Sequence, residues 1–303
     1  RNIIMTERKR RKRKENLLGC LVISPWLIGL LIFTFLPMMY SLYLSFTNFD
    51  GISTAKWIGL DNYKRMFQDE KFYQSLKVTF TYVALLVPLR LAFALLVAML
   101  LCSKHKGIGI YRSVFYLPSL LGGSVAIAIM WGQLFGADGA INSIIRMLGG
   151  DVTISWIGNT KTALFVLVIL GVWQFGASML IFIAGLKQVP VTYYEAATLD
   201  GASGFQKFRC ITLPMLSPVI FFNLIMQIIN AFKAFNESYI ITKGGPLDKT
   251  LFYALYIYKQ SFEYFNMGYG SALAWVLLLI IAVFAIFIFK SSDNWVYYET
   301  KGD

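Results

Sequence analysis

Residues 195–214 read EAATLDGASGFQKFRCITLP. This is the longest polar stretch in the second half of the chain, and apolar runs flank it at 163–186 and 215–229. Pro190 suits the entry to a helix over 193–199. Gly201 stands where a helix end needs φ > 0. Ser203 is placed to cap a second short helix over 205–211. Pro214 suits the first turn of the helix that follows. The spacing predicts a stiff helix–turn–helix between two membrane spans, presented to the water phase.

Working outward, the 303 residues are 57% hydrophobic, with several apolar runs long enough to cross a bilayer. Lipid leaves no partner for free backbone groups, so spans of this length should be helices. They do not alternate as the short strands of a membrane barrel would. The expected class is an all-α polytopic membrane protein with six transmembrane helices, at 17–46, 78–101, 113–135, 163–186, 214–241 and 268–289. Pro37 should kink or end the first of them. The net charge of +12 gathers at span ends, which favours a membrane-topology role over nucleic-acid binding. The run TERKRRKRKE at 6–15 should place the N-terminus on the cytoplasmic side of the membrane. The basic start leads into a long span with no small-residue cleavage site, so no cleavable signal peptide is expected. Counting spans from there puts 195–214 and both termini in the cytoplasm. The expected division is a basic segment 1–16, a first span with its outer loop 17–75, a five-span core 76–289 holding the loop 190–214, and a tail 290–303.

The spacing of Glu195-Ala196-Ala197, Gly201, Ile211 and Leu213-Pro214 resembles the EAA loop of ABC-importer permeases. Asp200-Gly201-Ala202, Ser24-Pro25-Trp26, Leu36-Pro37, Phe46-Thr47-Asn48-Phe49, Gly59-Leu60-Asp61-Asn62-Tyr63, Tyr116-Leu117-Pro118, Gly244-Gly245-Pro246 and Gly268-Tyr269-Gly270-Ser271-Ala272 resemble its carbohydrate branch, the maltose and glycerol-3-phosphate type. The resemblance covers most of the chain and implies a type I ABC importer permease fold. It implies a sugar or oligosaccharide as substrate, received from an extracytoplasmic solute-binding protein. Two ATP-binding subunits and a second homologous permease subunit are the implied partners, with ATP and Mg held by the ATPase subunits and no cofactor in this chain. Glu195, Ala196, Ala197, Asp200 and Gly201 are the implied coupling residues, with the first helix of the loop docking in a cleft of the ATPase.

Asn223, Gln227, Asn230, Lys233 and Glu237 are spaced to share one helix face. Polar groups at membrane depth avoid lipid, so this stripe faces a substrate path or a partner permease, and the resemblance favours the path. Trp131, Trp173 and Tyr116 could stack on sugar rings from neighbouring spans, with packing as the alternative for the tryptophans. Arg90 and Lys233 are cations at membrane depth, suited to an acidic oligosaccharide or to pairing with Glu237. The aromatic-rich segment 252–265 is either a contact for the binding protein or an interfacial helix.

The chain carries no GxxxxGK[ST] loop, and no nucleophile–base arrangement stands out, so it reads as a non-enzymatic subunit. Cys20, Cys102 and Cys210 are scattered without metal or redox spacing, and His105 stands outside any metal-ligating cluster. A secondary carrier driven by an ion gradient is the competing reading. It calls for inverted repeats and an intramembrane acid; Glu237 is a candidate acid, but no repeat is evident.

Overall fold

The computed structural model describes residues 18–102 and 107–297. The basic segment 1–16, His105 and the last residues of the tail fall outside them. Among the described residues the fold is helical, with one isolated bridge between Thr47 and Trp57. Contacts divide the chain into two units. One takes the described residues up to Arg65 together with Gln260–Trp275, and the other takes Met66–Lys259 and the described residues from Val276.

In the first unit, helix α1 (Leu18–Ser45) is long and apolar enough to span a membrane. Its outward side chains, Leu21, Trp26 and Phe33 among them, are exposed, as a lipid-facing helix requires. Pro37 does not end it. The turn Leu31–Phe35 widens to a π turn, and the Leu36 N–H reaches back five residues to the Leu31 carbonyl. That wider turn makes room for a ring that clashes with the preceding turn of a regular helix. Beyond α1, the buried Asn62 donates to the carbonyls of Ser45 and Thr47 at 2.9 and 2.8 Å. The Arg65 guanidinium lies 4.4 Å from the Tyr269 ring centre. Asp50 accepts from the Ile52 and Ser53 amides, which holds its carboxyl below the usual range.

In the second unit, helix α3 (Glu70–Leu101) follows the short helix α2 (Asp61–Gln68). Asp69 caps α3 by accepting from the Lys71 N–H at 2.9 Å. The buried face of α3 includes Tyr82, Leu86, Ala94 and Ala98, and three later spans and one short helix pack against it. The third span is not the straight helix expected. Helices α4 (Ile108–Leu121) and α5 (Val125–Leu134) meet at 96°. The cause is local: two glycines at 122–123 loosen the helix, and the Ser124 hydroxyl accepts from the Ile127 N–H to start a new one. The connection to the fourth span holds helix α6 (Ala140–Met147), pinned by Asn142. That side chain donates to the Ala137 and Ile154 carbonyls and accepts from Trp156.

The fourth span is also bent, by 43°, between α7 (Ala163–Trp173) and α8 (Gly176–Leu186). After the short helix α9 (Val191–Leu199), helix α10 runs without interruption over Gly204–Phe232. The separate short helix expected at 205–211 is therefore the first part of the fifth span. A π turn at Phe208–Thr212, with the Leu213 N–H on the Phe208 carbonyl, accommodates Pro214 as the earlier one accommodates Pro37. The segment expected at the surface over 252–265 begins in the core. Helix α11 (Tyr253–Tyr258) is buried against α3, with the Tyr253 N–H on the Thr79 hydroxyl and the Tyr256 hydroxyl on Asp69. Phe262, Tyr264 and Phe265 are exposed. The last helix, α12 (Met267–Trp295), completes four unbroken candidate spans, or six when each bent pair is one span.

Candidate functional site: a helical elbow and a polar junction of broken spans

The elbow forms as its residues dictate. Helix α9 ends in a full Schellman arrangement: the Ala202 N–H reaches the Ala197 carbonyl at 2.9 Å, and the Gly201 N–H reaches Thr198 at 3.1 Å. Gly201 has φ +75°, a backbone state that costs a side-chain-bearing residue about 1–2 kcal/mol. Ser203 and Gln206 then close a capping box, each side chain bonded to the other's backbone N–H at 3.3 and 2.7 Å. Two side-chain links tie α9 to α10: Lys207 Nζ donates to Thr198 Oγ1 at 2.8 Å, and the Tyr194 and Thr212 hydroxyls are 2.9 Å apart. The turn therefore passes from one helix to the next with little slack. Replacing Ser203 by alanine removes one half of the box, at about 1 kcal/mol. The expected result is faster amide exchange at Gly204–Lys207, with exchange in α3 unchanged.

Glu195, Ala196, Asp200 and Gly201 are exposed, and Ala197 is half-buried. A groove of about 430 Å³ runs between the helices, floored by Ala196, Ala197, Ile211 and Pro214 and flanked by Tyr297. Leu199 is 90% and Phe205 71% exposed. Neither belongs to the motif that marks the loop. Within 199–207 they are the two large apolar side chains, one on either side of the turning glycine, and that is the sequence signal for them.

The polar stripe does not share one helix. Helix α10 stops at Phe232, Lys233 to Phe235 are non-helical, and Glu237 lies in the helical segment that resumes at Asn236. The unbroken fifth span expected to reach residue 241 is thus interrupted. Asn223 is buried and donates to the Val219 carbonyl, while Gln227 is buried and donates to the Ser178 hydroxyl at 2.9 Å. Asn230 and Lys233 are exposed, and Glu237 is half-buried. Trp131 is 8% exposed in an apolar cluster with Val166 and Leu170, its ring centre 5.5 Å from that of the half-buried Trp173. Tyr116 is half-buried on α4.

Arg90 lies on the unbroken α3 and donates to the carbonyl of Gln174, at the break of the fourth span. Gln174 Nε2 donates to the Gly122 carbonyl, at the break of the third, at 3.2 Å. Glu237 lies just after the break of the fifth. The structure thus brings Arg90 together with Gln174 and Gly122. A glutamine between two glycines in the apolar run at 163–186 is the trace this junction leaves in the sequence.

Helices of membrane-spanning length, two of the spans bent, and a rigid polar elbow between the fourth and fifth define a multi-pass membrane transport subunit. The chain belongs to the family of binding-protein-dependent transport system inner membrane components, whose model matches residues 67–293. It is 56% identical over 298 residues to the probable ABC transporter permease protein YesP of Bacillus subtilis (strain 168), covering 97% of this chain and 96% of that one. It is 33% identical over 285 residues to the trehalose/maltose transport system permease protein MalF of Thermococcus litoralis, covering 92% and 95% respectively. Among solved structures, a bacterial ABC transporter involved in importing the acidic polysaccharide alginate has a chain that superposes with TM-score 0.81 at 21% identity. The match covers 95% of this chain and 99% of that one. The chain is an ABC importer permease, a transport subunit and not an enzyme. The ion-gradient carrier finds no support in these relatives.

Proposed function

We propose that this permease carries a sugar or oligosaccharide into the cytoplasm of a prokaryote, taking it from an extracytoplasmic solute-binding protein. It works beside a second homologous permease and is driven by two ATP-binding subunits that hold ATP and Mg. Both its termini lie in the cytoplasm. The observation that carries the driven mechanism is the elbow, whose first helix α9 is tied to α10 by two side-chain links. A push on α9 is transmitted to the fifth span because the turn has no free rotation to absorb it. Glu195, Ala196, Ala197, Asp200 and Gly201 form the docking face. Leu199 and Phe205 supply apolar area for a partner to cover, since such patches on an aqueous surface mark interaction sites. The sugar reading is supported by the trehalose/maltose relative and by the carbohydrate-type sequence motifs.

Co-purification of the tagged chain tests the assembly: an ATPase and a second permease should come down with it. A chain that carried solute alone would overturn the reading. The path is proposed to run past Asn230, Lys233 and Glu237, with Trp173 and Tyr116 at its side. Lys233 is the exposed cation available to an acidic sugar. Lys233→Gln should lower uptake of a uronic-acid-containing oligosaccharide by about tenfold, in the range of a charge-assisted hydrogen bond, and leave a neutral one nearly unaffected. Equal losses on both would remove the acidic preference and leave the sugar reading in place.

A further inference from the structure

A broken helix inside a bilayer leaves carbonyl groups that water cannot satisfy. The partners of those groups identify what holds the breaks. The fourth span breaks at Gln174, and the carbonyl there is taken by the Arg90 guanidinium. The third span breaks at Gly122, and the carbonyl there is taken by the Gln174 side chain at 3.2 Å. Gly122 fits because it has no Cβ; one would overlap the Gln174 side chain. Gly176 starts α8 so close to α4 that a Cβ would stand 2.7 Å from the Phe115 oxygen and 2.8 Å from the Tyr116 Cα. The two breaks therefore lie side by side, joined by Gln174 and fastened to α3 by Arg90. Helix α3 is unbroken across this region despite Pro88, so it can act as a fixed post. Arg90 Nε is buried without a hydrogen-bond partner among the described residues.

We propose that Arg90 is a positioning residue: it clasps the breaks of the third and fourth spans to α3, so that the two bends move as one. This assigns Arg90 a role other than that of a solute ligand on the proposed path. It deepens the transport reading, and it does not depend on which solute is carried. The clasp makes the hinge of the fourth span, which leads into the elbow, inseparable from the hinge of the third.

Amide exchange on the purified transporter in lipid nanodiscs, read by mass spectrometry, tests the clasp. Arg90→Gln should speed exchange about tenfold or more at both breaks, 119–125 and 172–177, as loss of a charge-assisted bond allows. Gln174→Ala should speed exchange at 119–125 alone, because the Arg90 bond goes to its main chain. The double variant should match Arg90→Gln at 119–125 instead of adding to it. If Arg90→Gln does not accumulate, Arg90→Gln/Glu237→Gln removes both charges together and is read the same way. Exchange unchanged at 119–125 in the arginine variants would overturn the clasp. So would an Arg90→Gln phenotype confined to a raised KM for acidic solutes. If the native transporter moves no sugar, the carbohydrate reading fails while the exchange pattern still decides the clasp.

Discussion

Gly201→Val is expected to cut ATP-coupled uptake by tenfold or more while the chain still inserts and its spans still pack. Nothing lies within 4 Å of the position a Cβ would take, so the effect does not come from a collision. It comes from the backbone, which holds φ +75°, a state that costs an ordinary residue about 1–2 kcal/mol and a β-branched one more. Relief of that strain requires giving up the bonds from Gly201 and Ala202 to the end of α9. The first helix of the elbow would then swing free of α10, and a push on it would be lost in the turn. Gly201→Asn separates this account from a general loss of stability, because asparagine tolerates the left-handed region and commonly ends helices. Asparagine should retain most of the uptake, alanine less and valine least. Equal uptake by all three, with ATPase stimulation intact, would show that the turn does not transmit work.

The second large effect is expected at Gly176. Here the obstacle is steric and made of backbone: the Phe115 carbonyl and the Tyr116 Cα stand where the first side-chain atom would go. A flexible side chain could rotate away, but a helix axis cannot. Overpacking typically costs about 1–3 kcal/mol, and Gly176→Val should reach or exceed the upper end. Less protein should reach the membrane, and the remainder should unfold at a lower temperature in detergent. Gly29→Ala in α1, where nothing lies within 4 Å, is the matched control and should match the native protein on both measures. A native-like Gly176→Val would mean that α4 and α8 are farther apart than the structure has them.

Much of this was legible in the residues because it depends on local chemistry. Bilayer thickness sets the length of an apolar run, and the six runs are there to be counted. Glycine after α9 and Ser203 before α10 act over a few residues, so the elbow can be read without knowing what surrounds it. The bends were not legible. Hydropathy measures how apolar a run is and carries no direction, and the 96° turn at residues 122–124 looks in composition like any other span. The polar stripe misled in a related way: spacing predicts one face only while the helix continues, and α10 stops at Phe232. The burial of Tyr253 and Tyr256 depends on Thr79 and Asp69, well over 100 positions earlier.

The sequence by itself determined the all-helical membrane class and a stiff glycine-ended elbow, because both follow from propensities acting over short stretches of chain. Only the tertiary structure decided where the spans bend and that Arg90, Gly122 and Gln174 come together. The reason is that a broken helix persists in lipid only where another span supplies partners for its freed carbonyls, and those partners are chosen by packing in three dimensions.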